Sequence, residues 1–197
     1  VPGRDELDSL LDELLAEPGR REELERRIAE SFVAERAVLV LDMSGFSRTT
    51  QTFGIVEYLL VIRRLRALAT PVVAELGGDI VKAEADNLFC LFPSVPAAVA
   101  ASREIASGLE GAGAPVEGGR ELYVSVGIGY GPVLLIGDED MMGNEVNLAC
   151  KLGEDVAEYG EILLTEAAAR ELAGAETLDA RLVSVSGLEL RHHALVS

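Results

Sequence analysis

The run Asp140-Met141-Met142-Gly143-Asn144-Glu145-Val146-Asn147-Leu148-Ala149-Cys150-Lys151 concentrates the chemistry of this 197-residue chain. It sets a carboxylate, a carboxamide and a cation at positions 140, 147 and 151. Gly143 and Asn144 mark a loop or cap, and Val146-Asn147-Leu148-Ala149 reads as the helix that follows. Residues four apart share one helix face. Asn147 and Lys151 therefore point the same way, into whatever space Asp140 borders.

Outward from that run, the pattern alternates between strands and helices. Tyr123–Ile128 and Pro132–Ile136 read as strands around Gly129 and Gly131, and a helix spans 144–153. Then come a strand at Ile162–Leu164, a helix at 166–173, and closing strands near Leu182–Val185 and Leu190–Val196. Upstream, Ala37-Val38-Leu39-Val40-Leu41 is a buried strand ending at Asp42, and Met43–Phe53 is a turn into a helix. Residues 54–76 form a long helix with Tyr58, Ile62, Leu65, Leu68 and Val72 on its core face, stopped by Gly77-Gly78. Asp79–Lys82 and Asn87–Phe92 are strands joined by a tight turn, Pro96–Gly108 is a helix, and Gly108–Gly119 is a glycine-rich loop. This order predicts an α+β sandwich on a largely antiparallel sheet.

Residues 1–33 differ in character and are assigned as an N-terminal helical arm, with the main domain over 34–197 and its first strand opening at Arg36. Leu7, Leu10, Leu11, Leu14 and Leu15 recur at helical spacing, Pro18-Gly19 interrupts, and a second helix carries Leu24, Ile28 and Phe32. The arm either packs on the main domain or serves as a dimerising or signal-transmitting element. The chain opens at Val1 without Met, which leaves room for an upstream sensor or membrane domain.

Composition narrows the function classes. Apolar residues make up 49% and the net charge is −17, from 34 acidic against 17 basic residues. Such a charge disfavours nucleic acid and anionic membrane as partners. A polyanionic nucleotide would need metal ions or a local basic cluster to bind. Cys90 and Cys150 lie in apolar stretches and read as reduced core residues of a cytoplasmic protein. No apolar run is long enough to span a membrane.

Asp42 closes a strand beside Met43-Ser44-Gly45-Phe46-Ser47, where a carboxylate meets the free N–H groups of a helix start. An N-cap is the commoner use of such a residue. Asp86 sits in the turn between two strands, again a common place for aspartate. If those strands are neighbours, the pair can hold two Mg²⁺ ions together with substrate phosphates. Gly127-Ile128-Gly129-Tyr130-Gly131 lacks the spacing of a dinucleotide site and reads as strand packing. His192 and His193 alternate across the last strand, and Arg63, Arg64 and Arg66 read as a solvated helix face.

Five segments in order resemble the class III nucleotidyl cyclases. Leu41-Asp42-Met43-Ser44-Gly45-Phe46-Ser47 resembles the family's F-x-D-[IM]-x-G-F-[ST], and Gly77–Phe89 its G-G-x-x-x-K-x-x-G-D hairpin. Val126–Val133 resembles its I-G-I-x-x-G-x-V strand pair, Asp140–Lys151 its D-x-x-G-x-x-V-N-x-A-x-R run, and Gly160–Thr165 its G-E-I-L-[VLA]-[ST] strand. The resemblance implies a ferredoxin-like nucleotidyl cyclase fold and an adenylate cyclase that converts ATP to cyclic AMP and pyrophosphate. It assigns Asp42 and Asp86 as ligands of two Mg²⁺ or Mn²⁺ ions, and Ser44, Gly45, Phe46 and Ser47 as the triphosphate cradle. Lys82 and Asp140 match the purine readers, a pair suited to adenine. Asn147 would orient the ribose, and Lys151 takes the place of the arginine that stabilises charge on the α-phosphate. The family's sites lie between two copies of a homodimer. One copy supplies the aspartates; the other supplies Lys82, Asp140, Asn147 and Lys151.

The chain departs from the family at Lys151 for Arg, Ala85 for Gly and Met142 for an aromatic residue. The final hairpin lacks the family's phosphate-binding lysine, with Arg191 and Arg48 as candidate substitutes between which the sequence does not choose. Lysine keeps the charge without the planar fork, which implies a slower enzyme. The alternatives are a weak or inactive cyclase-homology domain acting as a nucleotide-binding or dimerising regulator, and an unrelated acidic α+β module.

Overall fold

The computed structural model describes residues 1–44, 54–111, 123–172, 174–185 and 187–196. Strand β1 (Val33–Ser44) is the axis of the sheet. Both of its faces are apolar, as a central strand covered on two sides requires. Leu39, Leu41 and Met43 enter one core layer, and Val38 and Val40 enter the other.

Around β1 the described strands form an eight-stranded sheet. Its order is β2 (Asp79–Glu84), β3 (Asn87–Phe92), β1, β4 (Tyr123–Ile136), β6 (Ile162–Thr165), β8 (Leu188–Leu195) and β7 (Leu178–Val185). The short β5 (Asp140–Met142) pairs with β4 off this path. Only β4 and β6 run parallel; the other ladders are antiparallel. The expected largely antiparallel α+β sandwich is the observed fold.

Helices α3 (Ile55–Glu75) and α4 (Val95–Gly111) and the short α6 (Glu166–Glu171) cover the first face. The end of α3 is set by chemistry visible in the sequence. Gly77 adopts φ +74°, and Gly78 N–H reaches back to Val73 O at 2.8 Å, closing the helix with a left-handed cap. On the second face lies α5 (Asn144–Cys150), which continues into a π-helical turn at Lys151–Val156. Val146 and Ala149 of α5 pack there with Phe89, Leu91, Val133 and Met141.

The glycine run in β4 exists for α5. A Cβ on Gly127 would lie 2.0 Å from Ala149 O and 2.7 Å from Gly153 N, and one on Gly129 would lie 2.6 Å from Glu145 O. Helix backbone rests directly on strand backbone. The spacing predicts two strands broken at Gly129 and Gly131; the structure has one strand of 14 residues. Those glycines are contact positions, not turn positions.

Other boundaries also shift. β1 starts at Val33 rather than Arg36, directly after the second arm helix, and it runs through Met43 and Ser44. The helix expected over Pro96–Gly108 extends to Gly111, and the rest of the glycine-rich loop lies outside the described residues. The closing strands are longer than expected, and β5 was not expected at all. In the N-terminal segment, α1 (Arg4–Ala16) and α2 (Arg21–Phe32) flank a 3₁₀ turn at Pro18–Arg20, as the Pro18-Gly19 break predicts. Leu7, Leu10, Leu24 and Phe32 form a core with Ile136 at the end of β4.

Candidate functional site

Register places Asp42 near the end of β1, opposite Ser125 of β4 and beside β3. It falls on the Val38–Val40 side of the strand, the face that carries α5. Asp42 is about half-buried, and burial pushes its carboxyl up to about 6. The charges of Asp86 and Glu154 push in the same direction, and the Met43 N–H partly opposes them. Asp86 lies in the two-residue turn after β2, so the two aspartates do sit on neighbouring parts of one sheet.

The hairpin carrying Asp86 is held from above by α3. Tyr58 Oη donates to Asp86 Oδ1 at 3.3 Å, and Arg66 Nη2 donates to Ala85 O at 3.0 Å. Arg63 and Arg64 are exposed as expected, whereas Arg66 is half-buried by this contact. Burial and Asp86 also raise the Tyr58 hydroxyl. On the other side, Asn87 Nδ2 donates to Glu154 Oε1 at 2.9 Å. Glu154 lies on the π-helical turn and is itself raised, first by burial and then by Asp155, Asp86 and Glu84.

Ala85 is strained. Its φ of +48° places it in the left-handed region, alone among the described non-glycine residues. It is the first of the two turn residues, a position that tight hairpins commonly give to glycine. Restoring glycine there, Ala85→Gly, should raise stability by roughly 1 kcal/mol, since the left-handed penalty exceeds the added chain entropy. Chemical denaturation measures it; an unchanged or lower midpoint would contradict strain at this turn.

The two proposed purine readers meet. Lys82 Nζ is 3.8 Å from Asp140 Oδ1, although β2 and β5 are not paired in the sheet. They converge because Met141 is buried in the second-face core with Phe89, and Lys82 pairs in register with Phe89. The Lys82 ammonium stands 5.6 Å from the Phe89 ring centre and makes a closer ion pair with Glu84, at 2.8 Å. Glu84, burial and Asp140 all act on the Lys82 ammonium, and the net effect is upward.

Asn147 is exposed on α5, and Lys151 is half-buried at the first residue of the π-helical turn, where the backbone is still right-handed helical. Their four-residue spacing therefore survives the change of helix type. The orientation of α5 is fixed by Glu145. Its Oε2 accepts from Tyr130 N–H at 3.1 Å and from Thr165 Oγ1 at 2.7 Å. Thr165 also caps α6 by accepting from Ala168 N–H. Beside this flank of α5 a cavity of about 370 Å³ is lined by Leu148, Arg170, Leu182 and Arg191 among others. Arg191 thus stands near α5. Arg48 lies outside the described residues, as do Gly45, Phe46 and Ser47, while Ser44 ends β1.

Sequence reasoning missed Glu154, Tyr58 as the holder of Asp86, Glu84 on Lys82, and Arg4, whose Nη2 is 2.9 Å from Asp140 Oδ2. Glu154 left a signal, three residues after Lys151 on the same helical run, and so did Glu84, two residues after Lys82 on one strand face.

Asp42 and Asp86 are the carboxylates that a divalent cation would bind here. Among the described residues no group of three or more His, Cys, Asp or Glu is spaced to hold a metal ion. Two carboxylates suffice for Mg²⁺, which completes its shell with phosphate and water oxygens. The mutual repulsion at Asp42 is what a cation would relieve, so the residues fit.

No family model matches the chain, and no curated protein matches its sequence. Solved structures do. The catalytic core of a rhodopsin-guanylyl cyclase with converted specificity, in complex with ATPαS, superposes with a TM-score of 0.73 at 16% identity, covering 84% of this chain and 98% of that one. The adenylate/guanylate cyclase/hydrolase from Silicibacter pomeroyi gives 0.69 at 25% identity, covering 84% and 98%. The adenylyl cyclase CyaB from P. aeruginosa gives 0.71 at 21%, covering 84% and 96%. The chain has the fold of a class III adenylyl or guanylyl cyclase catalytic domain. Both purine specificities occur among these structures, so the fold by itself does not choose the base.

Proposed function

We propose that this protein is an adenylate cyclase working as a homodimer, with each site shared between two copies. The observation that carries the choice of purine is the convergence of Lys82 and Asp140 on one face, 3.8 Å apart. An ammonium can donate to adenine N1 while a carboxylate accepts from the exocyclic amine. Guanine presents a carbonyl and an N–H at the same edge, the reverse pattern.

In this reading Asn147 orients the ribose, and the Lys151 ammonium stands by the α-phosphate. The 3′-hydroxyl attacks the α-phosphorus in line, the bond to the β-phosphate oxygen breaks, and pyrophosphate leaves. Two Mg²⁺ or Mn²⁺ ions on Asp42 and Asp86 would acidify the hydroxyl and neutralise the leaving group. The cradle of Ser44, Gly45, Phe46 and Ser47 is proposed to hold the triphosphate. The first turns of α3 expose Ile55, Val56, Leu59 and Leu60, an apolar face that a second copy could cover. No helix among the described residues is long and apolar enough to cross a membrane.

The test is product analysis by chromatography after incubation with ATP or GTP and Mn²⁺ or Mg²⁺. Cyclic AMP from ATP, with little cyclic GMP from GTP, is the expected result; the reverse preference would overturn the assignment of Lys82 and Asp140.

Two departures favour a second reading, a weak or inactive regulatory domain: Lys151 in place of arginine and the strain at Ala85. Lys151→Arg separates the readings. A planar fork should contact the phosphate in two places and raise kcat roughly tenfold, about 1.4 kcal/mol. No gain would mean that position 151 does not act on the phosphate.

A further inference from the structure

The two oxygens of Asp140 are committed differently. Oδ2 accepts from Arg4 Nη2 at 2.9 Å. Oδ1 accepts from the Met141 N–H at 3.0 Å and is the oxygen facing Lys82 Nζ, at 3.8 Å. A ligand edge that bridges Lys82 and Asp140 must therefore meet Oδ1. Each carboxylate oxygen offers about two acceptor sites, so Oδ1 keeps one for an incoming amine while Oδ2 is held from behind.

Arg4 is placed for this by the arm, not by a loose surface contact. Pro2 O accepts the Gly137 N–H at 2.9 Å, so residues 2 and 4 grip both ends of the turn from β4 to β5. One and two turns further along α1, Leu7 and Leu10 are buried against the Ile136 core. The Arg4 side chain is 47% exposed. Ion pairs of that kind add little to stability; what this one adds is a second hold on the direction of a carboxylate whose other oxygen already accepts the Met141 N–H.

We propose that Arg4 is a positioning residue for purine selection: the N-terminal arm holds Asp140 with one oxygen turned towards Lys82, in register for an aminopurine edge. The proposal rests on the purine-reading roles given above to Lys82 and Asp140. It makes the arm part of the specificity apparatus. It also has a definite sign, because an arm that competed with the nucleotide for Asp140 would weaken binding, whereas a positioning arm strengthens it for one base.

The test uses the full chain with Mg²⁺ and two probes that lack the attacking hydroxyl, 3′-deoxy-ATP and 3′-deoxy-GTP, titrated by calorimetry into wild type, Arg4→Ala and Arg4→Lys. The wild type should prefer the adenine probe. Arg4→Ala should weaken that probe about tenfold, the worth of one charge-assisted contact, and leave the guanine probe nearly unchanged. Arg4→Lys should recover part of the preference, keeping the charge without the fork. Equal weakening of both probes would reduce Arg4 to a structural role and overturn the proposal. Tighter adenine binding in Arg4→Ala would overturn it in favour of a competing arm. An adenine preference that Arg4→Ala does not change would sink this inference alone; a wild type with no adenine preference would sink both it and the purine-reading assignment.

Discussion

Replacing Asp42 with asparagine should cut cyclic AMP formation by roughly a thousandfold, about 4 kcal/mol of transition-state stabilisation. The carboxylate is proposed to hold divalent cations against the triphosphate, and a carboxamide of the same size does that poorly. The same change should make the metal-free protein more stable. Burial and the neighbouring Asp86 and Glu154 raise the Asp42 carboxyl to about 6, above the ordinary aspartate value near 4. The folded chain then binds this proton more tightly than the unfolded chain. Between about pH 4 and pH 6 the metal-free fold loses stability as pH rises, and above that window the penalty is complete. Because Asp42 is only half-buried, solvent screening reduces the effect to about 1 kcal/mol. Thermal melts of wild type and Asp42→Asn at pH 4.5 and 7.5 measure it: the gap should open at the higher pH. Mg²⁺ should narrow it, because a cation beside Asp42 favours the ionised carboxylate. A variant that melts lower than wild type at pH 7.5 would contradict the repulsion at this site.

The second large effect belongs to a residue with no side chain. Gly127→Ala would put a Cβ 2.0 Å from Ala149 O and 2.7 Å from Gly153 N. Both are backbone atoms of α5 and its π-helical extension, so no rotamer change relieves the clash. The helix must lift from β4, losing the burial of Ala149 and Leu152 and moving Asn147 and Lys151 away from the sheet. The expected cost is about 3 kcal/mol, a melting drop of roughly 10 °C for a chain of this size. Cyclase activity should fall further than stability alone explains. A variant that melts like wild type would mean that α5 does not rest on the β4 backbone. Gly137→Ala is the control for glycine loss at an open turn, since a Cβ there meets nothing within 4 Å, although its φ of +54° adds local strain.

Much of this arrangement was legible in the sequence because it follows from local rules. The leucine spacing of the arm, the Gly77-Gly78 stop and the apolar strand before Asp42 each read directly as structure. The four-residue spacing of Asn147 and Lys151 likewise predicts a shared face. Other features depend on contacts that sequence order does not reveal. Gly129 and Gly131 look like breaks in a strand, and only the helix lying across β4 explains why the strand continues. β5 has three residues, too few for a periodic pattern, yet it carries Asp140 to Lys82. Arg4 meets Asp140 across 136 positions of chain, and Glu154 meets Asn87 across 67. The family resemblance named Lys82 and Asp140, as well as Asp42 and Asp86. It gave no hint of Glu154 or Arg4, which match no part of the quoted segments.

The proposed cyclase site is divided between two copies, with Asp42 from one and Asn147 from the other. Its most direct test is cyclic AMP formation after mixing Asp42→Asn and Asn147→Ala protomers, each inactive alone. In a two-fold symmetric pair, random exchange leaves one intact site in half of the dimers, so the mixture should recover about a quarter of wild-type activity. A mixture that stays silent while wild type makes cyclic AMP, with exchange of protomers demonstrated, would contradict the shared site.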